Sequence, residues 1–123
     1  MGGVGDRAEW TPMMTSAGFE AVARTFRLLS DPLRLRILYV LRSGRARVGD
    51  IARALGCSQP TASRHLSKLS EGGILERTQV GATVYYAVRD PRIYGLCERI
   101  CGDVGRRRAP LFTGDPTSNA DPH

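Results

Sequence analysis

The stretch Gly56 to Gly73, GCSQPTASRHLSKLSEGG, constrains the fold more than any other part of this 123-residue chain. Ser58 can cap a helix, and Pro60 falls in its first turn, where a missing N–H costs nothing. Ala62, Leu66 and Leu69 then recur on one face at three- and four-residue spacing. Gln59, Ser63, Arg64 and Ser67 fall on the other. Apolar anchors behind and Gln, Ser, Thr and Arg in front suit a DNA major groove, because such side chains match base edges and phosphates. An ordinary amphipathic surface helix has the same pattern, so the neighbouring segments have to decide.

Those neighbours read as a series of short elements. Residues Met1 to Thr15 are Gly-rich and patternless, an arm whose Trp10, Met13 and Met14 could still dock on a core. Phe19, Val22, Phe26 and Leu29 predict a first helix from Ser16 to about Leu29. Asp31 and Pro32 then supply an N-cap and a first helical residue. Leu33, Ile37, Val40 and Leu41 form the inner stripe of this second helix, with Arg34, Arg36 and Arg42 outside it. Ser43-Gly44 ends it, and Ala46 to Val48 can form a very short strand. Val48, Ile51, Ala52 and Leu55 predict a short third helix closed by Gly56. A short helix, a tight turn and a second helix make a helix-turn-helix.

Beyond Gly72-Gly73 the periodicity changes. Residues Ile74 to Gln79 and Thr83 to Val88 are strand-prone, and Val80-Gly81-Ala82 lies between them. This predicts a hairpin with Arg77 and Thr78 flanking its tip. Asp90-Pro91 predicts the start of a fifth helix, running to about Val104. The expected organisation is therefore an arm (1–15), one domain (16–104) and a disordered tail (105–123). The domain is mainly α with a small β-hairpin. Its order, α-α-α-α-β-β-α, is that of a winged helix-turn-helix with flanking helices.

Composition narrows the class of partner. The net charge is +6, and all but one of the eighteen basic residues are Arg, which forks onto phosphate and guanine. A bias toward Arg-rich codons would also produce part of this excess. The longest apolar runs span only a few residues, and no charged-then-apolar leader opens the chain, so a cytoplasmic protein with no membrane partner is expected. Three cysteines, Cys57, Cys97 and Cys101, argue against a disulfide framework and leave inert, metal-binding or redox thiols.

Several segments together resemble the ArsR/SmtB family of bacterial metal-responsive repressors. They are Leu29-Ser30-Asp31-Pro32-Leu33-Arg34-Leu35-Arg36-Ile37-Leu38, Ser58-Gln59-Pro60-Thr61-Ala62-Ser63-Arg64-His65-Leu66, Gly72-Gly73-Ile74-Leu75 and Val84-Tyr85-Tyr86. The resemblance covers about Phe19 to Asp103. It implies a homodimer joined largely through the first and last helices. It also implies a repressor of double-stranded DNA that leaves its operator when an inducer binds. Two recognition helices about one turn of DNA (~34 Å) apart would read an imperfect inverted repeat.

Gln59, Thr61, Ser63 and Arg64 are the candidate base or phosphate contacts, with Lys68 and Arg77 as phosphate contacts on the helix end and the wing. His65 either faces the groove edge or closes a hydrogen bond beside the core. The family's thiol run at the start of the third helix reads Arg47-Val48-Gly49-Asp50-Ile51 here, so the resemblance implies no arsenite or cadmium site there. The family's zinc site on the last helix needs histidine, and the only two, His65 and His123, lie elsewhere.

Cys97 and Cys101 remain. At i and i+4 they share one helix face and can converge on a soft ion such as As(III), Sb(III), Hg(II), Cd(II) or Cu(I). A third sulfur could come from Cys57 or from across a dimer. No cofactor is obligatory in this reading. The same pair can instead sense oxidants or persulfides, with Arg99 and Arg106 to Arg108 lowering a thiol pKa, or can be inert packing in a dimer seam. An effector-independent DNA binder is a further reading. Cys101 and Arg107 also match the C-x5-R spacing of a phosphate-binding catalytic loop, but Cys101 follows a helical pattern rather than a strand, so an enzyme is not expected.

Overall fold

A computed structural model describes residues 15–108 and 110. All of the proposed arm but Thr15 and most of the proposed tail, with Trp10, Met13, Met14 and His123, lie outside the described residues. Helix α1 spans Ser16–Leu29, α2 Pro32–Val40 and a 3₁₀ turn Leu41–Ser43. Strand β1 (Ala46–Arg47) leads into α3 (Val48–Leu55) and α4 (Gln59–Glu71). Strands β2 (Leu75–Val80) and β3 (Thr83–Val88) precede α5 (Ile93–Arg107). This is the expected winged helix-turn-helix, with β1 added to the hairpin as a third strand.

Helix starts follow local chemistry. Asp31 Oδ1 accepts from the N–H groups of Leu33 and Arg34, at 2.8 and 3.2 Å, ahead of Pro32. Ser58 Oγ accepts from the Thr61 N–H at 3.2 Å, with Pro60 in the first turn of α4. Each such cap is worth about 1 kcal/mol. Helix α3 ends at Gly56, whose φ of 68° is a left-handed conformation that side-chain-bearing residues seldom adopt.

The core forms where α2, α3, α4 and the sheet meet. Ile37, Ile51, Leu55, Ala62, Leu66, Leu69 and Leu75 have no exposed surface. Leu38, Leu41, Ala52, Ile74 and Tyr86 complete the cluster. Leu33 and Val40 of the expected inner stripe are only partly buried, because α2 also turns Leu38 inward.

The sheet order is β1-β3-β2, antiparallel throughout. Val80 pairs with Thr83, so the hairpin loop is only Gly81-Ala82 and Val80 belongs to the strand. Gly81 at φ 63° and no positive φ at Ala82 match the tight turn with glycine in its first central position. Arg77 pairs with Tyr86 and Thr78 with Tyr85, which places both residues in mid-strand rather than at the tip. Strand β2 is thus shifted by one residue toward the tip, while β3 keeps its expected bounds.

Helix α5 also differs from expectation. Asp90 does not cap it. Its carboxylate instead accepts from the Arg92 N–H at 3.0 Å and pairs with the Arg92 guanidinium at 2.7 Å. Three successive i→i+3 bonds, into the carbonyls of Asp90, Pro91 and Arg92, lead into a helix that begins at Ile93 and reaches Arg107. Replacing Leu66 with Ala should lower unfolding stability by about 2–5 kcal/mol, because the site is closed on all sides. Leu35→Ala, at a site 46% exposed, should change it by less than about 0.5 kcal/mol. Urea unfolding followed by circular dichroism measures both.

Candidate nucleic-acid interface

Helix α4 is anchored by Ala62, Leu66 and Leu69 and shows its remaining faces outward. Gln59, Ser63, Arg64, Ser67 and Lys68 are exposed, and Thr61 is half-buried. At 100° per residue, Arg64 and Ser67 point directly away from the core. Gln59 and Ser63 flank them toward α3, and Thr61, His65 and Lys68 toward α1 and α2.

One of these groups already has a protein partner, and another lies close to a neighbouring helix. The Ser58 hydroxyl donates to Thr61 Oγ1 at 2.9 Å, so Thr61 belongs to the cap at the helix start. The Gln59 amide lies against Gly49, where an added Cβ would come within 3.2 Å of Gln59 Nε2. Position 49 is one of the two where the resemblance would place a metal-binding thiol. In this chain Gln59 occupies the space in front of it.

His65 closes the hydrogen bond that the sequence left as one of two options. Arg34 Nε donates to His65 Nδ1 at 3.1 Å, and Arg34 Nη1 donates to the Leu28 carbonyl at 3.2 Å. Sequence reasoning put Arg34 outside the helix stripe, but it is half-buried and ties α1, α2 and α4 together. No local pattern marks it, since its partners are thirty-one and six residues away. An accepting Nδ1 requires a neutral imidazole with its proton on Nε2.

Arg77 is exposed on β2 and shares a sheet face with Tyr86, its paired neighbour. The opposite face carries Tyr85 between Arg47 and Thr78. The Arg45 guanidinium lies 4.1 Å from the centroid of the Tyr85 ring, which holds a cation beside the wing. Sequence reasoning did not single out Arg45, because the stacking partner arrives from a distant strand.

The cysteines occupy two regions. Cys57 is half-buried in the turn before α4 and packs against the core, as a small apolar residue would. On α5, Cys97 is half-buried against the core and Cys101 is exposed. Burial pushes the Cys97 thiol pKa up, and the neighbouring Cys101 raises it further. Arg106 and Arg107 are paired with Asp103, at 3.6 and 2.8 Å, so the expected thiol-activating role of that cluster is not what the structure displays. Among the described residues no three or more His, Cys, Asp or Glu side chains form a group that could hold a metal. Cys57 therefore completes no such set with Cys97 and Cys101 within one chain. No helix among the described residues is long and apolar enough to cross a membrane.

A helix-turn-helix with its polar face open, followed by a hairpin that β1 completes to a three-stranded sheet, defines a protein of the winged-helix class. The model of the bacterial regulatory proteins of the arsR family matches residues 31–77. The chain is 39% identical over 79 residues to a cadmium resistance regulatory protein, a CadC homolog of Staphylococcus aureus. That match takes in 63% of this chain and 65% of the relative, so the chain spans just under two thirds of that relative's length. The structure of the antimony-specific transcriptional repressor AntR superposes with a TM-score of 0.68 at 30% identity, covering 79% of this chain and 88% of that one. A homodimeric winged helix-turn-helix DNA-binding domain from Mycobacterium bovis, described as a possible ArsR-family regulator, gives 0.68 at 31% identity, over 73% and 86% of the two chains. The chain belongs to the ArsR family, whose members are regulatory proteins and not enzymes.

Burial is the main cause that lowers the His65 pKa from its ordinary 6.5, with the Arg34 and Arg64 charges adding to it and Asp31 opposing it. The folded state therefore takes up its His65 proton at lower pH than the unfolded chain. The stability this group contributes is complete above the ordinary histidine value and is lost as pH falls below it. The thermal midpoint of the wild type should drop on going from pH 7 to pH 5. The corresponding drop in His65→Gln should be smaller, as differential scanning calorimetry would record.

Proposed function

We propose that this protein is a dimeric, sequence-specific repressor that inserts two copies of α4 into successive major grooves of an operator inverted repeat. The observation that carries this reading is the division of α4 into a closed apolar face and an open face bearing Arg64, Ser67, Ser63 and Gln59. Arg64 is the base-reading fork, worth roughly 1–3 kcal/mol of discrimination at a guanine. Gln59 and Ser63 follow the strand beside it, and Thr61 supports them by holding the helix start. Arg77, with Arg45 on the other sheet face, neutralises flanking phosphates.

Dimerisation is supported by two helices that have no fully buried residue in one chain, α1 and α5. Phe19 and Phe26 on α1 are 49% and 50% exposed, and Leu96 and Ile100 on α5 are 40% and 52% exposed. Large apolar side chains concentrated on two terminal helices match an obligate interface better than a solvent face. The homodimer reported for the M. bovis relative supports the same arrangement.

The inducer in this reading is a thiophilic metal or metalloid held by Cys97 and Cys101. A relative named for cadmium resistance and another named as antimony-specific favour this class. The two thiols lie one helical turn apart on α5, a spacing that puts them on one helix face. A third donor has to come from the second copy of the chain or from solution. Because α5 is also an interface helix, an ion bound on it changes the separation of the two α4 helices.

Arg64→Ala should abolish retention of an operator fragment selected from random duplexes, while sedimentation still reports a dimer. Specific binding by the variant would refute the assignment. Cys97→Ser/Cys101→Ser should bind that fragment like the wild type but no longer release it with Sb(III), As(III), Cd(II) or Hg(II). Normal release from the double variant would remove the α5 site from the mechanism.

A further inference from the structure

A cleft of about 620 Å³ opens between α1 and the C-terminal half of α4, away from the α5 thiols. Its walls carry Arg24, Arg27 and Thr25 of α1, Arg34 of α2, and Lys68 and Glu71 of α4. Four cations thus face one carboxylate. Arg24, Arg27 and Lys68 take part in none of the ion pairs found among the described residues, which involve Asp50, Asp90 and Asp103 instead. Four cations around a single carboxylate in a concave space repel one another, and a bound anion relieves that repulsion. We infer that this cleft is a binding site for a compact, multiply charged oxyanion, such as a phosphate-bearing or polycarboxylate metabolite.

The site is partly pre-organised. The Arg34 bonds to the Leu28 carbonyl and to His65 hold that guanidinium in place and leave Nη2 to donate to a ligand oxygen. Glu71 accepts from a hydroxyl or ammonium on the same ligand. A volume of this size suits a small metabolite. On α1, Ala21, Arg24, Thr25, Arg27 and Leu28 line the cleft. At 100° per residue all but Arg27, which borders the phenylalanine face, lie away from Phe19, Val22 and Phe26. A dimer seam on the phenylalanine face therefore leaves most of the cleft wall open.

The cleft also touches the machinery of DNA recognition. Arg34, whose Nη2 faces the ligand in this reading, is tied to α4 through its Nε bond to His65. The binding site itself does not depend on the DNA-reading role, and it can be tested without DNA.

Isothermal titration calorimetry on the full chain, in chloride buffer of fixed ionic strength, would use inorganic pyrophosphate and citrate as separate probes. At least one should bind saturably with one site per chain, and which one does so separates phosphate from carboxylate ligands. Arg24→Ala/Arg27→Ala should weaken that binding at least tenfold, and Lys68→Ala at least threefold. Arg106→Ala/Arg107→Ala, which removes the same two charges elsewhere, should change it less than twofold. Amide resonances of Thr25, Leu28 and Gly72 should move with the probe. Absence of saturation with both probes, equal losses in the two double variants, or shifts confined to Gln59–Arg64 would each overturn the assignment.

Discussion

The closed packing of Ala62, Leu66 and Leu69 against the α2–α3 core decides how α4 is rotated about its own axis. A slip of one residue would turn the helix by about 100°. It would carry Leu66 toward solvent and bring His65 and Lys68, or Ser63 and Ser67, toward a core with no charged partner. Burying Leu66 and Leu69 is worth about 1.5–3 kcal/mol each, whereas an unpaired buried cation costs several kcal/mol. The difference holds a single rotation. That rotation in turn selects the outward set of Arg64 and Ser67, flanked by Gln59 and Ser63. The surface proposed to read DNA is thus a by-product of how the back of the helix is packed.

Around this anchored helix the attachments are polar and few. Arg34 bridges α1 and α4 through the Leu28 carbonyl and His65, and the Tyr94 hydroxyl donates to the Leu38 carbonyl at 2.7 Å to hold α5 to α2. Ile93 and Cys97 add apolar contacts beside Tyr94. The two terminal helices are held by these bonds and by a few partly buried apolar residues, Leu28 and Leu29 on α1 among them, and present Phe19, Phe26, Leu96 and Ile100 outward. An effector acting on α5 or in the α1–α4 cleft changes DNA affinity only by the difference in its affinity for two arrangements of these attachments. Helices held by a few bonds permit such arrangements at modest cost. A helix packed like α4 does not.

Element starts and stops were mostly legible because they rest on contacts within three or four residues. Asp31 with Pro32, Ser58 with Pro60, and Gly56 each acted where the local rule placed them. The misreadings share one cause. Val80 extended its strand because Thr83 was available to pair with it, and Arg77 moved to mid-strand with it. Asp90 bound the Arg92 guanidinium instead of capping a helix. The arginines placed near the thiols found Asp103 as a nearer carboxylate. In each case a competing partner took a group that the local pattern had assigned elsewhere.

Spacing, caps and turn glycines alone determined the succession of helices and strands, the buried stripe of α4 and the set of residues on its polar side. Such signals act over one or two turns of chain and are complete within a short window. Only tertiary packing decided that β1 joins the wing, that Arg34 becomes a bridge to His65, that Gln59 covers Gly49, and that Cys57 stays apart from the α5 thiols. These depend on which distant segments come to share a surface. That is settled by how the apolar faces close against one another, and no local window of sequence records it.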